Sequence, residues 1–444
     1  MQTRHDPYFY LPKFVRLEAR VLVRSTAKLR DFVMAMSGGS TPKKEEEEKY
    51  YADATVGIPF VRVQNLSVNG HLSLEDVKYV NRETHEGLLG RSKVIQDDLL
   101  VKITGVGRMA VASVPPLGFE GNINQHIARI RTQDRATSEA LAAWLNTDVA
   151  ETLAKRRATG GTRPALDYPA LRSIPVILNE KVQAEFNAAY AQYKKANTKA
   201  SALLANIDAY LLVKLGISLP PEPENTITNR IFLAQRKELT GWRFDPEALH
   251  PERENCVEAL RRMAPVPLKS ASVFVRDLRT EIPEGATYIG LENIESNTGR
   301  YLSSTDKDSV SSAFAFRKGQ VLFPKLRPYL NKVFLAPFDG LCSTEFHVLD
   351  GRSVRSDFLS LFLRSQIVVK QTKHLMSGNT LPRLQTEDIE GLLIPAVDPA
   401  LQEEIVCEAN RRMTEAETLR RKAELDLDAA KRCIEALLLG EVAA

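Results

Sequence analysis

The stretch "GGTRPAL" occupies Gly160–Leu166, and "GNTLPRL" occupies Gly378–Leu384; both read Gly-x-Thr-x-Pro-x-Leu. One such match is cheap, because these residue types are common, so the test is whether other features repeat in step. They do. Downstream of the phrase each copy reaches an Ile-Pro, Ile174-Pro175 and Ile394-Pro395, then a long helical segment closing on Leu215-Gly216 and Leu439-Gly440. Upstream, "LAAWL" (Leu141–Leu145) matches "FLSLFLRS" (Phe358–Ser365), and "DDLLVKITG" (Asp97–Gly105) sits where "GQVLFPKLR" (Gly319–Arg327) sits. Earlier still, "FVRVQNLSVNGHLS" (Phe60–Ser73) lies opposite "YIGLENIESNTGRYLS" (Tyr288–Ser303), and Asp6-Pro7 is echoed by Asp245-Pro246. The order is kept and the spacing drifts only as loop insertions would make it drift. The chain is a tandem duplication.

Each copy has the same plan, a mixed domain followed by a long helix. Short apolar runs such as "IPFVRV", "DLLVKITG", "VLFPKL" and "KVFLAPF", punctuated by Gly, Pro and Asn, predict strands. The first helix places Val182, Phe186, Tyr193, Leu203 and Ile207 on a seam of alternating four- and three-residue steps, the period of a coiled coil. The second opens with Asp398 as N-cap and Pro399 at the first turn and carries Ile405, Met413, Leu427 and Ile434 along one side. At 1.5 Å per residue each helix is about 55–60 Å long, the second longer by roughly one turn. The economical partner for each seam is the other helix, antiparallel; the alternatives are each helix's own domain or another protein. The expected fold class is α+β, two tandem mixed α/β domains separated by two long antiparallel coiled-coil helices. The expected boundaries are 1–175 for the first mixed domain, 176–216 for its helix, 217–240 for a linker, 241–395 for the second mixed domain and 396–440 for its helix.

At 444 residues, 43% hydrophobic and 26% charged, the composition is globular, with more than one domain. The net charge of +4 is compatible with nucleic acid without demonstrating it. Cys256, Cys342, Cys407 and Cys433 show no Cys-x-x-Cys spacing and read as reduced thiols. Neither an apolar leader core nor a membrane-length apolar run appears, so the expected location is the cytoplasm. Enzymatic motifs are missing. No Asn/Asp/Ser-Pro-Pro-aromatic loop of an amine methyltransferase is present; Pro115-Pro116 and Pro220-Pro221 lack the aromatic. "TGVGRMA" (Thr104–Ala110) lacks the third glycine of a dinucleotide turn, and there is no phosphate loop. "STEFHVL" (Ser343–Leu349) has no partner at triad or metal-ligand spacing. No catalytic or metal-ligating residue is assigned.

Recognition chemistry is better represented. "FPKLRPYLNKVF" (Phe323–Phe334) interleaves Lys325, Arg327, Asn331 and Lys332 with Tyr329, a mix suited to phosphate and base-edge contacts, though equally to a solvated edge strand. The first copy offers Arg62, Lys102 and Arg108, then Asn122, Asn124, Gln125 and His126 in "GNINQHIARIR". Asn and Gln pair bidentately with adenine as Arg does with guanine. Arg163 lies within the first repeated phrase, Arg383 within the second, and Lys373 just ahead of it. The run Glu45–Glu48 between lysines reads as a solvated loop.

Over essentially its whole length the chain resembles the specificity subunits of type I restriction–modification systems. The residues that carry this are "GIPFVRVQNL", Asp97–Gly105, "FRKGQVLFPKLRPYLNKVFLAPFDGLCSTEFHVL" (Phe316–Leu349) and "SGNTLPRLQTEDIEGLLIPAVDPALQEEIV" (Ser377–Val406). The Lys325-Leu326-Arg327-Pro328 block followed by Ser343-Thr344-Glu345-Phe346 is the most specific part, and it puts Ser343 and Thr344 among the expected DNA contacts. The resemblance implies two target-recognition domains, each reading half of a bipartite sequence in double-stranded DNA. It implies helices that space the halves and dock DNA methyltransferase (modification) subunits, with restriction or translocase subunits beyond them. It implies no catalytic residue and no cofactor here; S-adenosylmethionine, ATP and Mg belong to the partners. The chain departs from the family's Pro-x-x-Glu-Gln-x-x-Ile helix start, reading "LNEKVQAEF" and "ALQEEIV", and its first copy lacks the Lys-x-Arg-Pro block. Alternatives are the recognition subunit of a related system with a fused nuclease–methyltransferase partner, an enzyme with a disguised site, and a coiled-coil scaffold that binds protein.

Overall fold

The computed structural model describes residues 6–43, 47–53, 56–74, 77–178, 180–221, 224, 226, 231–233, 245–283, 286–302, 312–378 and 382–440. The chain forms two compact units: Met1–Ala196 with Arg421–Ala444, and Asn197–Arg420. Each long helix therefore contributes one part to each unit.

The first unit holds a five-stranded sheet ordered Ala35–Gly38, Ile127–Arg131, Leu99–Lys102, Ala112–Val114, Gly70–His71, antiparallel except at the last pair. Leu99–Lys102 is buried along its whole length, as expected of a near-continuous apolar run in the middle of a covered sheet. A second sheet is ordered Lys78–Val80, Ile58–Val61, Glu120–Ile123, Lys93–Ile95. The helices Arg135–Leu145 and Asp148–Arg157 start where Asp134 and Thr147 accept from the backbone N–H of Thr137 (2.7 Å) and Ala150 (3.1 Å).

The second unit repeats this plan. One sheet runs Ser272–Val275, Phe346–Gly351, Val321–Pro324, Phe334–Leu335, and the other Leu278–Arg279, Ala313–Phe316, Gly340–Cys342, Tyr288–Ile289. The registers show the correspondence. Phe60 and Val61 pair in parallel with Asn122 and Ile123; Tyr288 and Ile289 pair in parallel with Leu341 and Cys342. Both smaller sheets share a three-stranded core, and the fourth strand lies on opposite edges: Lys78–Val80 beside Ile58–Val61, Leu278–Arg279 beside Ala313–Phe316.

The long helices span Glu180–Lys214 and Pro399–Leu439. The first ends in a Schellman arrangement, with Gly216 at φ 65°, Gly216 N–H donating to Val213 O (3.0 Å) and Ile217 N–H to Leu212 O (2.8 Å). The second starts as expected, Asp398 accepting from Ala400 N–H at 2.8 Å, and stops at Gly440, φ 69°. Within the second unit the helices run antiparallel: Lys214 meets Glu404, Arg412 donates to Asn206 O (2.8 Å), and Arg420 to Ser201 Oγ (3.3 Å). Two of the arrangements weighed from sequence hold together, because the helices also complete the sheet cores. Phe186, Leu427, Ile434 and Leu438 join the core of the first unit with Leu99, Leu141 and Trp144. Leu211, Ile405, Val406 and Ala409 join that of the second with Val321, Phe358 and Phe362. Tyr193, Leu203, Ile207 and Met413 are half-buried, and the Val182 side chain lies outside the described residues. Among the described residues no helix is long and apolar enough to cross a membrane.

Candidate nucleic-acid interface

The repeated phrase is a backbone latch. In the second unit the buried strand Val321–Pro324 runs into Lys325-Leu326-Arg327. Lys325 N–H donates to Glu345 O (2.8 Å), Arg327 N–H to Pro382 O (2.8 Å), and Leu384 N–H to Lys325 O (3.0 Å), with Leu326 opposite Arg383. The first unit makes the same set. Ile103 N–H donates to His126 O (2.9 Å), Gly105 N–H to Pro164 O (3.1 Å), and Leu166 N–H to Ile103 O (2.8 Å), with Thr104 opposite Ala165. The glycine, proline and leucine of the phrase then each have a reason. Gly160 and Gly378 sit at φ 94° and 91°, where a side chain is strained. Pro164 and Pro382 supply carbonyls, and Leu166 and Leu384 plug the cores. Thr162 is exposed, and Thr380 lies outside the described residues.

The shared hydrogen bonds keep the register in which Asp97–Gly105 lies opposite Gly319–Arg327 and extend it to the other segments. Ile103 corresponds to Lys325, Gly105 to Arg327, His126 to Glu345 and Ala165 to Arg383. Asn124 and Ser343 match as well: their N–H groups donate to Val61 O (3.1 Å) and Ile289 O (2.9 Å), and their side chains accept from His126 N–H and Glu345 N–H, each at 3.2 Å. Gln125, exposed, then corresponds to Thr344, half-buried.

One edge thus carries two different chemistries. In the second unit it gathers Lys325, Arg327, Ser343, Thr344 and Arg383, five of the residues expected from sequence. Arg327 is exposed and left-handed at φ 49°, ψ 56°, which costs a non-glycine residue about 1–2 kcal/mol. Lys325 is half-buried, and burial lowers its pKa against the opposing pull of Glu345. Arg383 is clasped by Glu345, Nε to Oε2 at 3.2 Å and Nη2 to Oε1 at 2.7 Å. Tyr329, 48% exposed, stands in the turn that follows Arg327. Glu345 and exposed Arg276, which acts electrostatically on Lys325, were not singled out from sequence. Only the position of Glu345 within "STEF" pointed to it. In the first unit the same edge carries exposed Gln125 and half-buried His126, with exposed Arg163 in the latch, while Asn124 is only 8% exposed and its Oδ1 is taken by His126 N–H.

The remaining expected residues lie elsewhere, mostly turned inward. Asn122 is fully buried, its amide bonded to His85 Nδ1 (2.7 Å), Leu89 O (3.0 Å) and Ser92 Oγ (3.2 Å). Lys102 is 6% exposed and donates to Val106 O at 2.7 Å; burial lowers its pKa. Arg108 bonds Asp148 and Asn146 O, and Arg62 is half-buried. Asn331, left-handed at φ 51° and 3% exposed, donates to Asn297 Oδ1 (3.2 Å) and Arg364 O (2.8 Å), and Lys332 donates to Leu291 O (2.9 Å). Lys373, with Lys370 and His374, surrounds buried Glu252 at 3.1, 2.8 and 2.8 Å. Burial alone would raise the Glu252 pKa, but those hydrogen bonds hold it down to about 2. In the first unit Arg156 and Arg157 hold Glu18 in the corresponding way. Basic residues beside the latch thus tie down the opening helix of each copy.

Cys342 is core, its thiol pushed by burial up to about 12. Among the described residues, two groups bring metal-ligand types together: His250, Glu252, His374, and His85, Glu86, Glu120. The first already has Glu252 neutralised by two ammonium groups, so an ion there would have to displace them.

No family model matches the chain. It is 26% identical over 138 residues to the EcoDI type I restriction enzyme specificity subunit of Escherichia coli. This chain resembles the type I specificity subunits. The matched region is 30% of this chain and 31% of that relative, so the match spans about a third of its length. Among solved structures, the S subunit of a type I restriction–modification system from M. genitalium covers 93% of this chain and 94% of its own, at 12% identity and TM-score 0.36. The HsdS subunit of Thermoanaerobacter tengcongensis covers the same shares at 13% identity and TM-score 0.30.

Proposed function

We propose that this chain is the non-catalytic DNA-specificity subunit of a type I restriction–modification complex. Each unit reads one half of a bipartite target in double-stranded DNA, and the long helices set the distance between the halves and dock methyltransferase subunits. Restriction subunits join beyond them, and methyl transfer and cleavage belong to the partners. The observation that carries this reading is the edge built twice on one backbone pattern and furnished differently: Asn124, Gln125 and His126 in one copy, Ser343, Thr344 and Glu345 with Lys325, Arg327 and Arg383 in the other. The exposed Gln125 amide suits adenine and guanidinium groups suit guanine or phosphate, so one scaffold presents two readouts. The boundaries 1–175 and 241–395 are proposed as the reading modules.

The test is to co-express the chain with the modification subunit of its own system and locate methylated bases across the host genome. Two short defined blocks around a fixed unspecified gap support the proposal, and exchanging residues 1–175 for those of a relative should change one block only. A continuous motif, or a complex that does not bind DNA, refutes it and favours a protein-binding scaffold.

A further inference from the structure

We propose that Arg383 is a base-reading residue that recognises a guanine, and that Glu345 is the positioning residue that holds it ready; this rests on the DNA-specificity reading above. The ion pair is not needed to hold the latch. The first unit forms the same three backbone hydrogen bonds with His126 and Ala165 at the two corresponding positions, where no such pair can exist. Nor do the neighbouring cations serve the fold, since Ile103 and Gly105 stand where the second unit has Lys325 and Arg327. The second unit has therefore added three cations and one carboxylate to a scaffold that closes without them.

The geometry of the pair points to its use. Glu345 takes the Nε and Nη2 side of the guanidinium, at 3.2 and 2.7 Å. Among the described residues Nη1 has no hydrogen-bond partner, and Arg383 is exposed. The side of the fork formed by Nη1 and the second N–H of Nη2 is thus left over. That side matches the O6 and N7 acceptors of guanine in the major groove. A planar fork fixed by a carboxylate loses little further freedom on binding, which favours base readout over loose attraction to phosphate.

The experiment uses the full chain in complex with its modification subunit and duplexes carrying the methylated target. In competition, each base pair of the target is changed in turn, for wild type, Arg383→Ala, Arg383→Lys and Glu345→Gln. Arg383→Ala should lose about 5- to 150-fold of discrimination at one guanine in one block, leaving the other block unchanged. Arg383→Lys should restore overall affinity without restoring that discrimination, and Glu345→Gln should lose part of it at the same base pair. Uniform weakening across all sequences, with a salt slope reduced by about one, would make Arg383 a phosphate contact and overturn the proposal. Unchanged discrimination overturns it too. If the wild-type complex shows no preferred duplex at all, the specificity reading itself fails, a distinguishable result.

Discussion

Replacing Arg327 separates what this residue costs the fold from what it does for binding. Its backbone is left-handed at φ 49°, ψ 56°, its side chain is exposed, and its N–H donates to Pro382 O. Arg327→Gly keeps that hydrogen bond and removes about 1–2 kcal/mol of conformational strain. Against this, glycine adds about 0.4–1 kcal/mol of freedom to the unfolded chain. The net is a stabilisation of about 0–1.5 kcal/mol, with no buried surface lost. Arg327→Ala keeps the strain and removes the same charge, so its stability should match wild type. Both variants should weaken DNA binding alike and reduce the dependence of log affinity on log salt by about one contact. Denaturant unfolding of both variants, with binding titrated at several salt concentrations, decides the matter. A glycine variant less stable than the alanine variant would refute the strain argument, and unchanged salt dependence in both would refute a role in DNA contact.

Other positions test separate parts of the structure. Glu252→Gln leaves Lys370 buried without its counter-charge and should cost about 3–5 kcal/mol in denaturant unfolding. Because the folded Glu252 carboxyl titrates at about 2 instead of 4.5, its contribution is present above pH 4.5 and is lost as pH falls toward 2. The variant's unfolding midpoint should therefore approach wild type only in acid. Phe358→Ala empties a fully buried site in the second unit and should cost about 3–5 kcal/mol. Lys102→Met should leave the salt dependence of DNA binding unchanged, since its ammonium is already bonded to Val106 O; a reduced slope would show that it turns outward.

The duplication, the strands and both helix ends were legible because each rests on local chemistry: alternating or continuous apolar runs, Asp398-Pro399 at a start, Gly216 and Gly440 at stops. The candidate edge was half legible. Lys325, Arg327 and Arg383 stand out as cations, but which residues meet depends on hydrogen bonds between segments far apart in sequence, such as Leu384 with Lys325. Asn122 and Lys102 show the same limit from the other side. Their side chains have the right donors and acceptors, and only tertiary packing reveals that these point inward to Leu89 O and Val106 O. The clasp of Lys370, Lys373 and His374 on Glu252 likewise joins residues more than a hundred positions apart.

The closing helix also imposes an order on biosynthesis. Leu427, Ile434 and Leu438 sit in the core of the first unit, yet they are synthesised only after the whole of the second unit. The second unit is one unbroken stretch, Asn197–Arg420, and can close as soon as it is made. At about 5–20 residues per second, the sheets begun first then wait on the order of ten to fifty seconds for their last apolar strip. A chain cut after Arg420 should leave the second unit intact and the first with an open, adhesive face.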